Sequence, residues 1–158
     1  MTLPKINTET MLDFLVELLN TPSPTGYTEE AIAFIEEAFA QFPDLSLKRT
    51  NKGSLIIKWD SSTSSETAPR AITAHTDTLG GMVKVIKPNG RLQLTQLGGL
   101  MLNGVETEGC WVITQSGKKI RGSYMFHKAS THVHGKEVYE SQRSPETMEI
   151  RLDARTSS

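Results

Sequence analysis

Met11, Leu12, Phe14, Leu15, Leu18 and Leu19 recur at three- and four-residue spacing. That period puts them on one face of an amphipathic helix, with Asn7 or Thr8 as its cap. The helix stops before Pro22. The run Thr21-Pro22-Ser23-Pro24-Thr25-Gly26 predicts a tight loop, because two prolines and a glycine forbid helical continuation. A second helical period follows in Ile32, Phe34, Ile35, Ala38, Phe39 and Phe42, expected to form one buried face. Thr28 can cap it, Glu29 and Glu30 suit its first turn, and Pro43 closes it.

The period then shortens to that of strands. Residues 45–50 and 54–59 read as two strands joined by a hairpin-type turn at Asn51-Lys52-Gly53. Residues 60–67 (DSSTSSET) carry no core-forming side chain and predict a polar surface loop. The small and β-branched run 70–74 predicts a buried strand. Beyond Gly81, residues 82–87, 91–96, 109–115, 119–124 and 147–152 are strand-like. Turn signals at Pro88-Asn89-Gly90, Gly98-Gly99, Asn103-Gly104 and Ser116-Gly117 separate them. Short strands at this spacing suggest a small antiparallel barrel or sandwich, with no helix longer than about two turns. The expected division is therefore an α/β part over 1–80, an all-β, barrel-like part over 81–152, and a short return over 153–158.

Candidate chemistry lies at the end of the run 70–74, where the chain reads His75-Thr76-Asp77 before Gly80-Gly81. The carboxyl end of a buried strand is where open α/β sheets place their ligand sites. A neutral imidazole is a good ligand for zinc or cobalt. A carboxylate two residues on can accept the proton of the other ring nitrogen and fix the tautomer. The bland alternative is a polar turn around a satisfied histidine, and a bare H-x-D motif is too short to choose. His127, His132 and His134 form an H-x4-H-x-H pattern near Lys128, Lys136 and Arg143. No cysteine or nearby acid completes a metal set there, so a solvated loop is the simpler reading.

The longer pattern A-H-T-D-x-x-G-x-x-V, followed by Ile86, Gly90, Leu92 and Leu97-Gly98-Gly99, closely resembles the deblocking or glutamyl aminopeptidases. These are two-metal enzymes that include tetrahedral, self-compartmentalising assemblies. Thr78 departs from the family's usual acidic residue at that position. The resemblance implies that His75 is a metal ligand and that Asp77 orients it, in the catalytic role. It implies two divalent metal ions, zinc or cobalt, and peptide substrates. It further implies a partial phosphorylase/hydrolase-like aminopeptidase sheet, with a β-domain inserted directly after the His-x-Asp loop. That inserted domain serves dimerisation and homo-oligomer assembly. The opening helix–loop–helix also matches the family, with Thr21 to Tyr27 at its loop, although a plain helix connection also explains that loop.

The bridging carboxylate, the remaining ligands and the general-base glutamate of such an enzyme follow the β-domain in the family. A two-metal site needs all of them. Glu106, Glu108, Glu137, Glu140, Glu146 and Glu149 lie in or between the later strands, with no adjacent glutamate pair among them. The resemblance thus covers about the first half of a family enzyme, and the chain by itself is expected to be inactive. Two further readings stay open. One is a non-catalytic assembly module working through its β-domain. The other is a fragment of a carboxypeptidase- or deacylase-type zinc hydrolase, although those relatives carry a helical dimerisation domain.

Composition narrows the classes. A net charge of −1 over 158 residues, with 22% charged residues, argues against nucleic acid or an anionic membrane as partner. The single cysteine, Cys110, excludes an internal disulfide and fits a reducing, cytoplasmic setting. Its expected role is that of a small buried apolar residue. No signal-peptide pattern opens the sequence, and no apolar run approaches membrane-spanning length.

Overall fold

The computed structural model describes residues 5–59 and 70–152. The chain divides into two compact units between Thr78 and Leu79. The polar loop expected over 60–67 and the return expected over 153–158 lie outside the described residues.

In the first unit, helix α1 spans Thr8–Asn20 and helix α2 spans Glu29–Ala40. Asn7 caps α1 by accepting a hydrogen bond from the Thr10 backbone N–H at 3.3 Å. Thr28 occupies the cap position of α2 without a side-chain bond, leaving Glu29 and Glu30 to complement the helix dipole. Phe14 of α1 stacks on Phe34 of α2 at 5.2 Å and meets Phe39 edge-on at 6.4 Å. Strands β1 (Leu45–Arg49) and β2 (Leu55–Trp59) form an antiparallel hairpin, with Arg49 opposite Leu55. Its turn closes through Gly53 N–H to Thr50 O, and Gly53 takes φ 84, which a side chain would disfavour. Arg49 ties the hairpin to α2 through Glu29 and, at 2.6 Å, Glu36.

Two expectations fail in this unit. Residues 70–74 form no strand, and Ile72 is 99% exposed. The reason is pairing: among the described residues, β1 and β2 bond only to each other, so no neighbouring strand meets this run. A strand without a partner leaves its N–H and C=O groups to water. The apolar helical faces are also less buried than their periodicity implies. No residue of α1 is buried, and α2 buries only Ala31 and Ile32. Phe34 and Phe39 are half-buried, and Phe42 is exposed.

The second unit is an antiparallel sheet of five strands: β3 (Gly80–Ile86), β4 (Leu92–Leu97), β5 (Gly109–Ile113), β6 (Lys119–Phe126) and β7 (Met148–Arg151). Their spatial order is β3-β4-β7-β6-β5. All five strand expectations are met to within a few residues. β3 and β5 form the edges, with no pairing between them among the described residues. Three single-turn helices lie between strands: α3 (Leu102–Val105), α4 (Thr131–His134) and α5 (Glu137–Glu140). One face of the sheet buries Leu92, Tyr124, Phe126, Met148 and Ile150 against Leu102 of α3. Cys110 is half-buried against this core, and desolvation raises its thiol pKa. Arg143 holds the segment after α5 to the sheet. It stacks over the Phe126 ring at 4.1 Å and pairs with Glu106 at 2.8 Å, while donating to Val138 O and Ser141 O.

Gly122 lies on β6 beside the end of its antiparallel neighbour β7. An added Cβ would stand 2.7 Å from Ile150 Cγ2 and 2.9 Å from Leu152 Cδ2. Gly122→Ala is therefore expected to destabilise the second unit by ~1–3 kcal/mol, as overpacking does. A urea midpoint equal to that of the unsubstituted chain would contradict this.

Candidate metal-ligand site

The first unit brings together two segments 52 residues apart. The loop after α1 and the chain around Asp77 run side by side as a short parallel bridge between Pro24 and Thr78. Thr78 N–H donates to Ser23 O at 2.7 Å, and Thr25 N–H donates to Thr78 O at 3.2 Å. Pro24 suits this exchange, since it has no N–H to leave unpaired. Gly26 at φ 88 then turns the chain toward α2. Ser23 is buried, and its hydroxyl finds no hydrogen-bond partner among the described residues.

His75 and Asp77 project from this clamped segment. His75 Nδ1 lies 3.2 Å from Asp77 Oδ1 and 3.0 Å from the Asp77 backbone oxygen. Both neighbours are acceptors, so the proton belongs on Nδ1 and the lone pair on Nε2. The His75 side chain is 86% exposed, which leaves Nε2 open to an incoming ligand. The second Asp77 oxygen, Oδ2, accepts a hydrogen bond from Thr25 Oγ1 at 2.7 Å. That bond is the main cause holding the Asp77 carboxyl below the usual carboxylate range. Partial desolvation opposes it, and the neighbouring His75 ring adds a smaller lowering.

This geometry fits one metal ligand with its supporting carboxylate. It does not amount to a complete site: among the described residues, no group of three or more His, Cys, Asp or Glu could hold a metal ion. The histidines of the second unit do not supply one. His132 and His134 lie on α4 and His127 just past β6. His127 and His134 line a pocket of ≈ 240 Å³ with Arg91, Glu149 and Arg151. Burial is the largest influence on His127 and lowers its pKa. Sequence reasoning singled out His75 and Asp77, but it read the Thr25 loop as sufficiently explained by a helix connection. Nothing in local spacing signals a hydroxyl that meets a carboxylate 52 residues on.

Comparison with known proteins decides the family. The profile of the M42 glutamyl aminopeptidases matches residues 53–158. The chain belongs to the M42 peptidase family. It is 41% identical over 142 residues to the putative aminopeptidase YhfE of Bacillus subtilis, covering 90% of this chain and 40% of that protein. The fold resembles a TET aminopeptidase from a marine sediment Thaumarchaeota archaeon, with a TM-score of 0.79 and 21% identity. That match covers 96% of this chain and 40% of the archaeal one. It also resembles the TET1 peptidase of Pyrococcus horikoshii, which can assemble into a tetrahedron or a large octahedral shell. There the TM-score is 0.65 and the identity 20%, over 93% of this chain and 42% of that one. The chain therefore spans about 40% of the length of these relatives. No helix among the described residues is long and apolar enough to cross a membrane.

Proposed function

We propose that this chain carries the opening part of a metal-dependent M42 aminopeptidase, which removes N-terminal residues from peptides. The observation that carries this is the His75–Asp77 pair, clamped by the Thr25 loop, in a chain of that family. His75 Nε2 is the proposed metal ligand, and Asp77 holds the imidazole in the tautomer that frees it. Two divalent ions, zinc or cobalt, would supply carbonyl polarisation and a more acidic water when bound. Residues 1–80 belong in this reading to the catalytic domain, and residues 81–152 form a barrel-like domain for dimerisation and assembly. A preference for glutamyl or other acidic N-terminal residues and a cytoplasmic location complete the proposal. The test is metal-dependent hydrolysis of glutamyl and leucyl anilides by an M42 enzyme carrying this segment. Activity that survives chelation would refute metal dependence.

A second reading, an assembly module without catalysis of its own, draws on the exposed apolar surface. Leu15 and Leu19 are exposed on α1, and Met82 and Ile86 on the edge strand β3. Unpaired strand edges and apolar faces favour association. Both readings predict homo-oligomers. Sedimentation at micromolar concentration is expected to show dimers or larger species, and a clean monomer would count against association.

A further inference from the structure

We propose that Thr25 is a positioning residue for the His75 site, acting by locking the Asp77 carboxylate. This rests on the reading of His75 as a metal ligand and extends it to a residue to which no role is assigned. The two carboxylate oxygens are used separately. Oδ1 faces His75 Nδ1 at 3.2 Å, and Oδ2 receives the Thr25 hydroxyl at 2.7 Å. A carboxylate held at one oxygen can still swing about its side-chain torsions. Held at both, it has one rotamer that serves the imidazole.

Thr25 is placed to do this because its backbone is fixed to the same segment. Its N–H donates to Thr78 O, while Thr78 N–H donates to Ser23 O. Main-chain bonds therefore set the register, and the Thr25 hydroxyl reads it out on Asp77. Tyr27 N–H closes a turn onto Pro24 O at 2.7 Å, which holds the loop shape from the α2 side. The loop between the first two helices thus acts as a template for the candidate ligand rather than as a plain connection.

The experiment measures the Asp77 rotamer directly, through its three-bond Hα–Hβ couplings in the metal-free 158-residue chain. The unsubstituted chain is expected to show one large and one small coupling, or two small ones, as a single rotamer gives. Thr25→Val should move both toward the averaged value, and Thr25→Ser should restore the single-rotamer pattern. A Thr78 amide exchange rate in Thr25→Val equal to that of the unsubstituted chain shows that the loop clamp is intact. Averaged couplings in the unsubstituted chain, or unchanged couplings in Thr25→Val, would overturn the proposal. A parallel zinc titration, followed on the His75 ring resonances, tests the underlying reading separately. Zinc is expected to bind weakly to this incomplete site, so the titration is carried into the millimolar range; no response of the His75 ring even there sinks the ligand assignment, whatever the couplings show. If zinc binds, Thr25→Val should weaken it on the order of tenfold, the low end for partners behind a metal ligand.

Discussion

Replacing His75 by alanine is expected to abolish hydrolysis of aminoacyl anilides by an M42 enzyme carrying this segment, together with metal occupancy at one of its sites. The proposed ligand is the exposed Nε2 of a ring whose Nδ1 is already engaged. Alanine offers no donor in its place. Asp77→Asn should act more mildly. The amide oxygen can still accept from Nδ1, and the backbone oxygen of residue 77 stays within reach of it. A loss of ~10–100-fold in affinity or rate is the usual consequence of changing such a partner. In the 158-residue chain alone neither substitution should matter catalytically. Among the described residues no third metal-binding side chain joins His75 and Asp77, so any zinc at His75 should be weakly held and mostly water-coordinated. Steady, chelator-sensitive hydrolysis by the pure chain would refute that expectation. So would metal analysis returning two tightly held ions per chain.

The second large effect concerns Glu149, at the centre of the five-stranded sheet. β7 is bonded on both sides, to β4 and to β6. Met148 and Ile150 face the apolar core, so alternation sends Glu149 to the opposite face. It is nonetheless buried, with its side chain only 3% exposed, because Lys87 and Arg91 close over it. Lys87 Nζ lies 2.7 Å from Oε2, and Arg91 donates to Oε1. Glu149→Ala would leave two cations facing each other without their shared anion. The expected cost is about 3 kcal/mol, the lower end for breaking a buried pair, since both cations keep some access to water.

The same carboxylate sets an acid limb. Desolvation alone would raise the Glu149 pKa, but the bonds from Lys87 and Arg91 outweigh it and hold the folded value below the ordinary one. A depressed folded pKa contributes stability that is fully present above the unfolded value, ~4.3 for glutamate. That contribution is lost as pH falls through the folded value. Urea melts at pH 7, 5 and 3.5 should therefore show the unsubstituted chain losing its advantage over Glu149→Gln on acidification. A constant difference across that range would contradict the role given to the ion pairs.

How much of this was legible beforehand follows from the range of the interactions. Both main helices, the hairpin and all five later strands are set by local period, caps and turn residues, and they appear where the sequence predicts them. The pairing of His75 with Asp77 was equally local, two residues apart, so the motif carried it. The strand expected over residues 70–74 was not determined locally. A strand exists only where another strand accepts its hydrogen bonds, and none does so among the described residues. The burial of Glu149 was also beyond the sequence, because its cations come from 58 and 62 residues away. Likewise, only the tertiary structure puts the Thr25 hydroxyl on Asp77. Two segments separated by α2 and the hairpin meet through main-chain hydrogen bonds, and main-chain groups are the same in every residue but proline. Such contacts leave no pattern in the amino-acid order, so local spacing alone shows this loop only as a connector between helices.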